Sequence, residues 1–528
     1  MRSASEVIVW LLLTASCSIA VGKAPQVHIN SGAISGTSAD GVDRFEGIPY
    51  AAPPIGALRW RAPQPVLSWR GVRASDRYGH VCYQKPSSAP GHVIAAQDMS
   101  EDCLTLNVFR PAAGAARNLP VMVWIHGGAM VAGSASLPVY DGGVFARGGV
   151  ILVSLNYRLG RLGIFAHPAL SAQNADGGRL GSYALMDQIA ALQWVARNIA
   201  SFGGDPHNVT IFGESSGGLC VNTLMVTPQA RGLFQHAISE SGYGRAYFRR
   251  VSSDAPDGRE SAEKVGIDFA TRLGLQNPTA ADLRAVTAER IIAAATFGYD
   301  EEFSFVLDGK VLTEDMWASF RAGREAPVPY ILGTNSLEEP SPVWQQRVAD
   351  RHVLEPTDLP GLATAYGGQE ALADNLLSDI EFTEQARALA RLHEHNGYST
   401  YVYLFSVLPA DARGEAKGAR HGSELRYVFG NIGVGAPTGA VDRTDAGAPR
   451  GADTPIVPLT DAAVANIMNG LWRTFAIRGD PNGPALPVWP RYDGERIIEF
   501  TGAGAAAHPD ERNGRLDALA AIIDARSH

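Results

Sequence analysis

Continuous apolar runs alternate with stretches of helical periodicity along most of this chain. Residues Tyr183–Ile199 place apolar side chains at the spacing of a helix with one buried face. Strands that are apolar throughout are buried on both faces, and their alternation with helices is typical of a parallel sheet. The pattern therefore predicts an α/β fold with a mostly parallel, twisted sheet covered by helices on both sides. The strand-like runs are Val121–Ile125, Val150–Leu155, Val209–Phe212, Tyr330–Leu332 and Tyr401–Phe405.

Two long helix-like segments interrupt the strand pattern. Residues 253–326 and 341–396 are rich in Ala, Leu, Arg and Glu, and strand signals resume after each of them. We interpret both segments as helical insertions on one scaffold and not as separate domains. The sequence therefore predicts a single domain over residues 21–528.

The first twenty residues have the pattern of a secretory signal. Arg2 precedes the apolar run Val7–Leu13, and small residues follow. A charged start, a short apolar core and a small-x-small site are typical of a cleaved signal, whereas a membrane-spanning helix needs about 20 apolar residues. We predict a signal peptide over residues 1–20 and an exported protein, secreted or periplasmic. A lipoprotein anchor at Cys17 is the alternative, although Thr14 stands where Leu is usual.

Composition excludes several classes of protein. The 528 residues are 45% hydrophobic and 19% charged, so a fully disordered or coiled-coil chain is excluded. The 45 Lys and Arg residues and 54 Asp and Glu residues give a net charge of −9, which argues against a general nucleic-acid binder. No stretch after the first apolar run is long enough to span a membrane.

The chain contains four cysteines: Cys17, Cys82, Cys103 and Cys220. Removal of Cys17 with the signal leaves three, and an exported chain can oxidise a pair of them. A bridge between Cys82 and Cys103 would stabilise the fold by about 3 kcal/mol in the chain-entropy treatment. Cys220 lies in an apolar stretch, which favours a buried and inert thiol.

A G-x-S-x-G motif occupies residues Gly213–Gly217, after the apolar run Val209–Phe212 and before a helix-like run. Alone the motif is weak, since an ordinary turn also uses glycine and serine. A serine on a sharp strand-to-helix turn presents its hydroxyl at the helix N-terminus, and the glycines permit the crowded backbone. Ser215 is therefore a candidate nucleophile, which needs a base and an acid that orients the base.

A glycine pair follows another predicted strand. The run Val121–Ile125 leads into His126–Ala129 (HGGA). Small residues at this position let backbone N–H groups approach a developing oxyanion, as acyl transfer requires. A plain turn explains the two glycines equally well.

Several blocks of sequence occur in a fixed order: Arg44–Pro63, Ser100–Val108, Trp124–Ser134, Asn156–Ala166, Asp187–Gly218, His421–Asn431, Leu471–Asn482 and Val488–Tyr492. Together they resemble the type-B carboxylesterase and cholinesterase family, over essentially the whole mature chain. In character the chain is similar to bacterial para-nitrobenzyl-esterase-like carboxylesterases. The resemblance implies the α/β-hydrolase fold, with helical insertions near the active site. It also implies hydrolysis of a small-molecule carboxylic ester without a metal or organic cofactor.

The resemblance implies a Ser-Glu-His triad. It makes Ser215 the nucleophile and His421, in an H-G-x-E-L block, the general base. The family's acid lies in a G-x-N-x-x-E block, which here ends at Glu338. Leu337 replaces the usual Asp before the acid, and Glu339 follows where a small residue is common, so Glu339 is the alternative acid. The order Ser, Glu, His along the chain suits an α/β-hydrolase.

The same resemblance assigns groups around the triad. Backbone N–H groups of Gly128, Ala129 and Ser216 are expected to form the oxyanion hole, and Cys82–Cys103 matches the family's first disulfide. Structural ion pairs are expected between Arg44 and Glu101 and between Arg158 and Asp187.

Other residues have weaker assignments. Glu214 precedes the nucleophile and is interpreted as a buried structural or field-tuning carboxylate. The aromatic residues Tyr243, Tyr247 and Phe248 are candidates for lining the acyl pocket, although a place in the core explains them equally well. His393-Glu394-His395 looks like a ligand set, but residues two apart on a helix do not face each other, so no metal site is expected.

Two alternative functions accompany the esterase prediction. Neuroligin-like relatives are non-catalytic adhesion modules that lack the nucleophile, whereas here a serine, a histidine and an acid are all present. Cholinesterases hold a quaternary ammonium on a Trp inside the first disulfide loop by cation–π attraction. Between Cys82 and Cys103 the only aromatic residue is Tyr83, which argues against choline esters. The sequence does not predict the acyl group, the alcohol or the oligomeric state.

Overall fold

The computed structural model describes residues 24–89, 92–112, 117–246, 248–255, 258–295, 305–341, 343–350, 353–408, 416–433 and 459–526. The predicted signal peptide over residues 1–20, with Cys17, lies outside these ranges, and so does Tyr247.

The strands are β1 (Gln26–Ile29), β2 (Gly32–Ser35), β3 (Thr37–Ala39), β4 (Val42–Pro49), β5 (Val72–Ala74), β6 (Val81–Cys82), β7 (Ser87–Ala89), β8 (His92–Ile94), β9 (Met99–Ser100), β10 (Thr105–Pro111), β11 (Leu119–Ile125), β12 (Ile151–Leu155), β13 (Ile164–Phe165), β14 (Gly181–Ser182), β15 (Gly204–Glu214), β16 (His236–Glu240), β17 (Arg249–Arg250), β18 (Val306–Leu307), β19 (Tyr330–Asn335), β20 (Thr400–Phe405), β21 (Arg496–Thr501) and β22 (Gly504–Pro509).

The helices are α1 (Gly143–Arg147), α2 (Gly160–Gly163), α3 (Pro168–Ser171), α4 (Tyr183–Asn198), α5 (Ser216–Val226), α6 (Ala262–Arg272), α7 (Ala280–Ala285), α8 (Ala288–Ala294), α9 (Met316–Arg321), α10 (Trp344–Asp350), α11 (Leu359–Ala365), α12 (Gln369–Ser378), α13 (Glu384–His395), α14 (Leu425–Val428), α15 (Asp461–Arg478) and α16 (Asn513–Arg526). A π-helical turn, Asp379–Thr383, joins α12 to α13.

An 11-stranded sheet forms the centre of the fold, in the order β22-β21-β20-β19-β16-β15-β11-β12-β10-β4-β3. From β12 to β21 neighbouring strands are parallel. At the two edges, β10, β4, β3 and β22 run antiparallel to their neighbours. The prediction of a mostly parallel sheet in an α/β fold is confirmed. Parallel strands bring their carboxyl ends to one edge, where open α/β sheets bind ligands.

Strand β11 explains why the predicted strands are apolar throughout. Val121, Val123 and Ile125 belong to the core that includes side chains of helices α4 and α5. Met122 and Trp124 belong to a second core, which includes side chains of helix α15. Since successive side chains of a strand point to opposite faces, both faces of the sheet are buried under helices.

The two helix-like segments form helices, as predicted. Helices α6 to α9 lie between β16 and β19, and helices α10 to α13 lie between β19 and β20. Strands β19 and β20 of the central sheet follow the two groups. Among the described residues, no helix has both the length and the apolar character that crossing a bilayer requires.

Three of the four cysteines lie within the described residues and behave as predicted. Cys82 and Cys103 form a disulfide, and Cys220 is a buried free thiol. Gln188 donates to the sulfur of Cys220 over 3.1 Å, and the sulfur of Met130 lies 3.6 Å away. Burial raises the pKa of Cys220 to about 12, so its reactive thiolate is scarce at neutral pH.

One of the two predicted ion pairs is confirmed. Arg158 and Asp187 are fully buried and their side chains approach to 2.7 Å. The predicted pair between Arg44 and Glu101 is wrong, because the carboxylate of Glu101 accepts instead from Arg59 Nε over 2.6 Å.

Arg44 has a different environment on strand β4. Its guanidinium lies 5.9 Å from the ring centroid of Phe109 and 3.4 Å from the carboxylate of Asp141. The strand therefore directs Arg44 across the sheet surface and away from the disulfide beside which Glu101 lies.

Candidate active site

Ser215 lies at the turn between strand β15 and helix α5. Its backbone has φ 58° and ψ −124°, a conformation that a non-glycine residue adopts at a cost of about 1–3 kcal/mol. Its N–H donates to the carbonyl of Glu240 on the neighbouring strand β16 over 2.8 Å. The residue is 9% exposed. The turn is thus fixed between two sheet strands and keeps part of Ser215 accessible.

Two glycines make the turn possible. A Cβ at Gly213 would lie 2.6 Å from the carbonyl carbon of Gly217, and a Cβ at Gly217 would lie 2.1 Å from the carbonyl oxygen of Ile125. Side chains do not approach backbone atoms this closely, so both positions require glycine. The G-x-S-x-G spacing therefore reflects close packing of the turn against strand β11.

His421 and Glu338 meet at the same edge of the sheet. Nδ1 of His421 lies 2.7 Å from Oε2 of Glu338, and the glutamate side chain is fully buried. The other carboxylate oxygen of Glu338 accepts from the hydroxyl of Ser241 and from the N–H of Asn335, each over 2.6 Å. These contacts fix the carboxylate beneath the imidazole.

Glu339, the alternative acid, points elsewhere. Its carboxylate lies 2.6 Å from Arg347, and the side chains of both residues are about one-third exposed. Glu338 is therefore the acid that contacts His421 in this structure.

The second nitrogen of His421 faces Glu214. Nε2 lies 3.2 Å from Oε1 of Glu214, the residue directly before Ser215. The imidazole therefore lies between two carboxyl groups and next to the serine turn. The ring of Phe382 packs on the imidazole with a centroid separation of 4.6 Å.

These carboxyl groups set the protonation of the imidazole. Burial disfavours the imidazolium, but Glu214, Glu338 and Glu424 outweigh burial and raise the pKa of His421 to about 10. Burial also raises the pKa of Glu214 to about 7, against the lowering effect of the imidazolium.

Two further buried carboxyls lie around the site. Burial raises the pKa of Glu240 to about 8, although the indole N–H of Trp472 donates to it over 2.7 Å. Burial and the other carboxyls raise the pKa of Glu424 well above its usual value, and Asn335 Nδ2 donates to it over 2.7 Å. Glu240 is therefore largely protonated near neutral pH, and the shift of Glu424 acts in the same direction, which limits the number of buried like charges.

The candidate oxyanion hole lies between the HGGA segment and helix α5. A Cβ at Gly127 would lie 3.2 Å from the Cβ of Ser215, so this segment passes directly beside the serine. Within the described part of the chain, the N–H groups of Gly128, Ala129 and Ser216 donate to no protein acceptor. Three unused donors next to a serine hydroxyl suit a developing negative charge.

The segment is held in an unusual backbone conformation. Gly128, Ala129 and Met130 have φ values of 111°, 54° and 61°. Met130 N–H donates to the hydroxyl of Ser216 over 3.1 Å, and Met130 C=O accepts from Gly160 over 2.7 Å. Both bonds fix the donors before a substrate arrives.

The aromatic candidates occupy different environments. Tyr243 is half-buried and its ring lies 5.2 Å from that of Phe382, which contacts the imidazole. Phe248 is buried in the core and packs 6.1 Å from Phe305. Tyr247 lies outside the described residues.

His393 has a structural environment. Its Nδ1 lies 3.1 Å from Glu325 and its Nε2 lies 2.9 Å from the carbonyl of Val328. Within the described ranges, no group of three or more His, Cys, Asp or Glu side chains could hold a metal ion.

Several residues of the site were missed by sequence reasoning. Ser241 and Asn335 donate to Glu338, the carbonyl of Glu240 accepts from Ser215 N–H, Glu424 accepts from Asn335, and Phe382 packs on His421. Glu424 belongs to the same H-G-x-E-L block as His421 and Asn335 to the same G-x-N-x-x-E block as Glu338, so both motifs held a usable signal. Phe382 belongs to no motif, and only the folded structure shows that it packs on His421.

A serine at such an elbow on a parallel sheet is the arrangement found in α/β-hydrolases. Comparison with solved structures agrees with this class. A PNB esterase structure superposes with a TM-score of 0.77 and 31% sequence identity, covering 94% of this chain and 100% of that chain. The carboxylesterase EST55 of Geobacillus stearothermophilus superposes with a TM-score of 0.74 and 30% identity, covering 94% of this chain and 99% of that chain.

The chain belongs to the carboxylesterase family and is a carboxylic ester hydrolase. The family model matches residues 23–352 and 366–505. The para-nitrobenzyl esterase of Bacillus subtilis (strain 168) is 35% identical, covering 88% of this chain and 92% of the relative. The fumonisin B1 esterase of Sphingopyxis macrogoltabida is 33% identical, covering 88% of this chain and 84% of the relative. The predicted family and the predicted ester hydrolysis are confirmed, and the non-catalytic alternative is dropped.

Proposed function

We propose that this protein hydrolyses carboxylic esters through an acyl-enzyme on Ser215, with His421 as general base and Glu338 as the acid that orients it. The observation that carries the proposal is the 2.7 Å contact between His421 Nδ1 and Glu338 beside the strained serine turn. A serine hydroxyl is a weak nucleophile at neutral pH, and this arrangement supplies what activates it.

The chemistry follows from the positions of these groups. Nε2 of His421 takes the hydroxyl proton as Ser215 Oγ attacks the ester carbonyl. The N–H groups of Gly128, Ala129 and Ser216 stabilise the tetrahedral oxyanion, and loss of one such donor typically reduces turnover by about 10²–10³. The imidazolium then protonates the departing alcohol. Water, activated by the neutral imidazole, hydrolyses the acyl-enzyme.

Glu214 influences the protonation of His421 in the free enzyme. His421 must be neutral to act as a base, although the surrounding carboxylates stabilise its imidazolium. The carboxyl of Glu214 lies 3.2 Å from Nε2 and burial raises its pKa to about 7, so above that pH its charge stabilises the imidazolium. In the transition state the field of Glu338 stabilises the newly formed imidazolium.

The first test removes the nucleophile. Ser215→Ala should reduce kcat for p-nitrophenyl ester hydrolysis by at least about 10³, because only binding and the oxyanion donors remain. Ser201→Ala, at an exposed serine, is the matched control and should leave kcat unchanged. A Ser215→Ala variant that is folded and keeps more than about a tenth of the activity would refute the assignment.

We further propose that the substrates are small or medium uncharged esters. The aromatic rings of Phe382 and Tyr243 beside His421 offer an apolar surface to an acyl group. Relatives named as para-nitrobenzyl and fumonisin B1 esterases support an ester substrate without fixing its size. In the disulfide loop, the hydroxyl of Tyr83 is occupied by a hydrogen bond to Glu289 over 2.6 Å.

A direct comparison of substrates tests this proposal. Butyrylcholine and its neutral isostere 3,3-dimethylbutyl butyrate differ only in the charge of the alcohol. The neutral ester should have a kcat/KM at least equal to that of the cation, because no Trp in the disulfide loop is present to bind the ammonium. A tenfold or larger preference for the choline ester would instead indicate cholinesterase-like specificity.

We also propose that the protein is exported as a single domain over residues 21–528 after loss of residues 1–20. The disulfide between Cys82 and Cys103 supports this proposal, because such bonds persist in oxidising compartments.

A further inference from the structure

A second cavity, apart from the candidate active site, opens between helices α9, α13 and α16. Its volume is about 380 Å³, and its lining includes neither Ser215 nor His421. A volume of this size is in the range that accommodates a small organic molecule. Four of the lining side chains are arginines: Arg245, Arg321, Arg387 and Arg391.

Two of these arginines share one carboxylate. Arg387 and Arg391 lie one turn apart on helix α13, and both donate to the same Oδ1 atom of Asp517, over 2.8 and 2.7 Å. Like charges at this spacing repel each other. Asp517 is half-exposed on helix α16, so solvent weakens its compensation of two guanidinium charges.

The other two arginines differ in their partners. Arg245 is buried and makes ion pairs with Glu384 and Asp524, each at 2.6 Å. Arg321 is exposed at the end of helix α9 and has no hydrogen-bond or ion-pair partner among the described residues. Among the described residues, these four guanidinium groups therefore form ion pairs with three carboxylates, and one guanidinium of the cavity is left without an anionic partner.

Part of the cavity wall is apolar. Trp317 lines the cavity, is 8% exposed and stacks 4.1 Å from the guanidinium of Arg245. Ala388, Leu392 and Ala520 complete the apolar lining.

We propose that this cavity binds a small organic anion with one carboxylate and an apolar body. Arg321 and Arg391 have donors available for the carboxylate, and a guanidinium binds a carboxylate in a planar, bidentate geometry. The apolar body lies against Trp317 and the neighbouring aliphatic side chains. The one guanidinium without an anionic partner among the described residues matches a monoanion.

The site is separate from the ester site but close to it along the chain. Arg245 and Glu384 each lie two residues from an aromatic residue of the candidate active site, Tyr243 and Phe382 respectively. Neither the cavity nor its ligand takes part in the steps proposed for Ser215. Binding can therefore be tested whether or not the triad assignment is correct.

The test is calorimetric titration of the full-length protein with benzoate. Benzoate should bind, and Arg321→Gln should weaken binding by about five- to tenfold, the loss of one charge-assisted contact. Arg478→Gln is the matched control, since Arg478 is also exposed at the end of a helix (α15) and lies outside the cavity. It should leave the Kd unchanged.

Two comparisons separate this site from general anion binding. Benzamide, a neutral isostere, should bind at least about tenfold more weakly than benzoate, and so should inorganic phosphate, which lacks an apolar body. Absence of benzoate binding, equal binding of phosphate, or equal binding to the Arg321→Gln variant would each overturn the proposal. Equal binding to the Arg321→Gln variant would show that benzoate binds outside this cavity, for example in the ester site.

Discussion

His421 lies between two carboxyl groups that act on opposite ring nitrogens. Glu338 contacts Nδ1 at 2.7 Å and fixes the ring, whereas Glu214 faces Nε2 at 3.2 Å. Both carboxylates favour the imidazolium, which raises the pKa of His421 to about 10 despite burial. At the scale of single residues, the protonation of His421 therefore depends on Glu214 as well as on Glu338.

Glu214→Gln should lower the pKa of His421 by at least about one unit, because an opposite charge in close contact is removed. At any pH between that lowered pKa and about 10, the imidazole is mostly neutral in the variant and mostly protonated in the native protein. An NMR titration of the imidazole of His421 in the free enzyme measures the shift directly.

Glu339→Gln is the control for this titration. Glu339 pairs with Arg347 and does not contact the imidazole, so the pKa of His421 should stay unchanged. An unchanged pKa in the Glu214→Gln variant would show that Glu214 does not set the protonation of the base.

Residues near His421 could be predicted from the sequence only where they belong to a recognisable motif. Ser215, His421 and Glu338 were proposed from motifs, and the structure brings the last two into contact. Glu240 was not predicted, because it reaches the site through pairing of strand β16 with β15. Phe382 was not predicted either, since a π-helical turn between two insertion helices places it on the imidazole.

At the scale of elements, the serine turn is shaped by strand β11. The carbonyl of Ile125 at the end of that strand faces Gly217 in the first turn of helix α5. There is no space between them for a methyl group. The strand and the helix thus fix the turn together, which a motif in one segment does not reveal.

Gly217→Ala should displace helix α5 from β11, because the new Cβ would lie 2.1 Å from a backbone oxygen. We expect destabilisation by about 1–3 kcal/mol and a fall in kcat of about 10² or more, since the serine and one oxyanion donor move. Denaturant unfolding and ester hydrolysis measure the two effects.

Gly514→Ala is the matched control for that variant. Gly514 is also the second residue of a helix, α16, and a Cβ there would meet no atom within 4 Å. Alanine should raise the free energy of unfolding by about 0.5–1 kcal/mol and leave kcat unchanged. Equal behaviour of the two variants would show that contact with β11 is unimportant.

The strands were easier to predict than their limits. The apolar run Val209–Phe212 marked the middle of β15, which extends over Gly204–Glu214. Its first part contains polar residues and a proline, yet Gly204 pairs with Leu119 across a break in register. Backbone pairing therefore extends a strand where the side-chain pattern gives no signal.

At the scale of the whole molecule, the oxidation state of the cysteines reports the compartment. Protein purified from its native location, denatured without reductant and treated with a thiol reagent should be labelled once, at Cys220. Reductant should add two labels, at Cys82 and Cys103. Labelling of all three without reductant would contradict export into an oxidising compartment.

The number of labelled thiols also tests the prediction of a signal peptide over residues 1–20. Cys17 belongs to the predicted signal peptide, so a cleaved protein has no thiol at that position. One extra label under non-reducing conditions would show that residues 1–20 are retained. A lipidated Cys17 would carry no free thiol and give no extra label, so mass spectrometry of the N-terminal peptide distinguishes lipidation at Cys17 from cleavage of residues 1–20.

The parallel strands β11, β15 and β19 finish at a common rim, and each contributes its last residues or the loop after them to the reactive centre. Helices lie between these strands along the chain, and the strands still end at the same edge of the sheet. An engineer could therefore vary Phe382, which the turn between α12 and α13 places on the imidazole of His421, and change which acyl groups fit there, while the strand ends keep their relative placement.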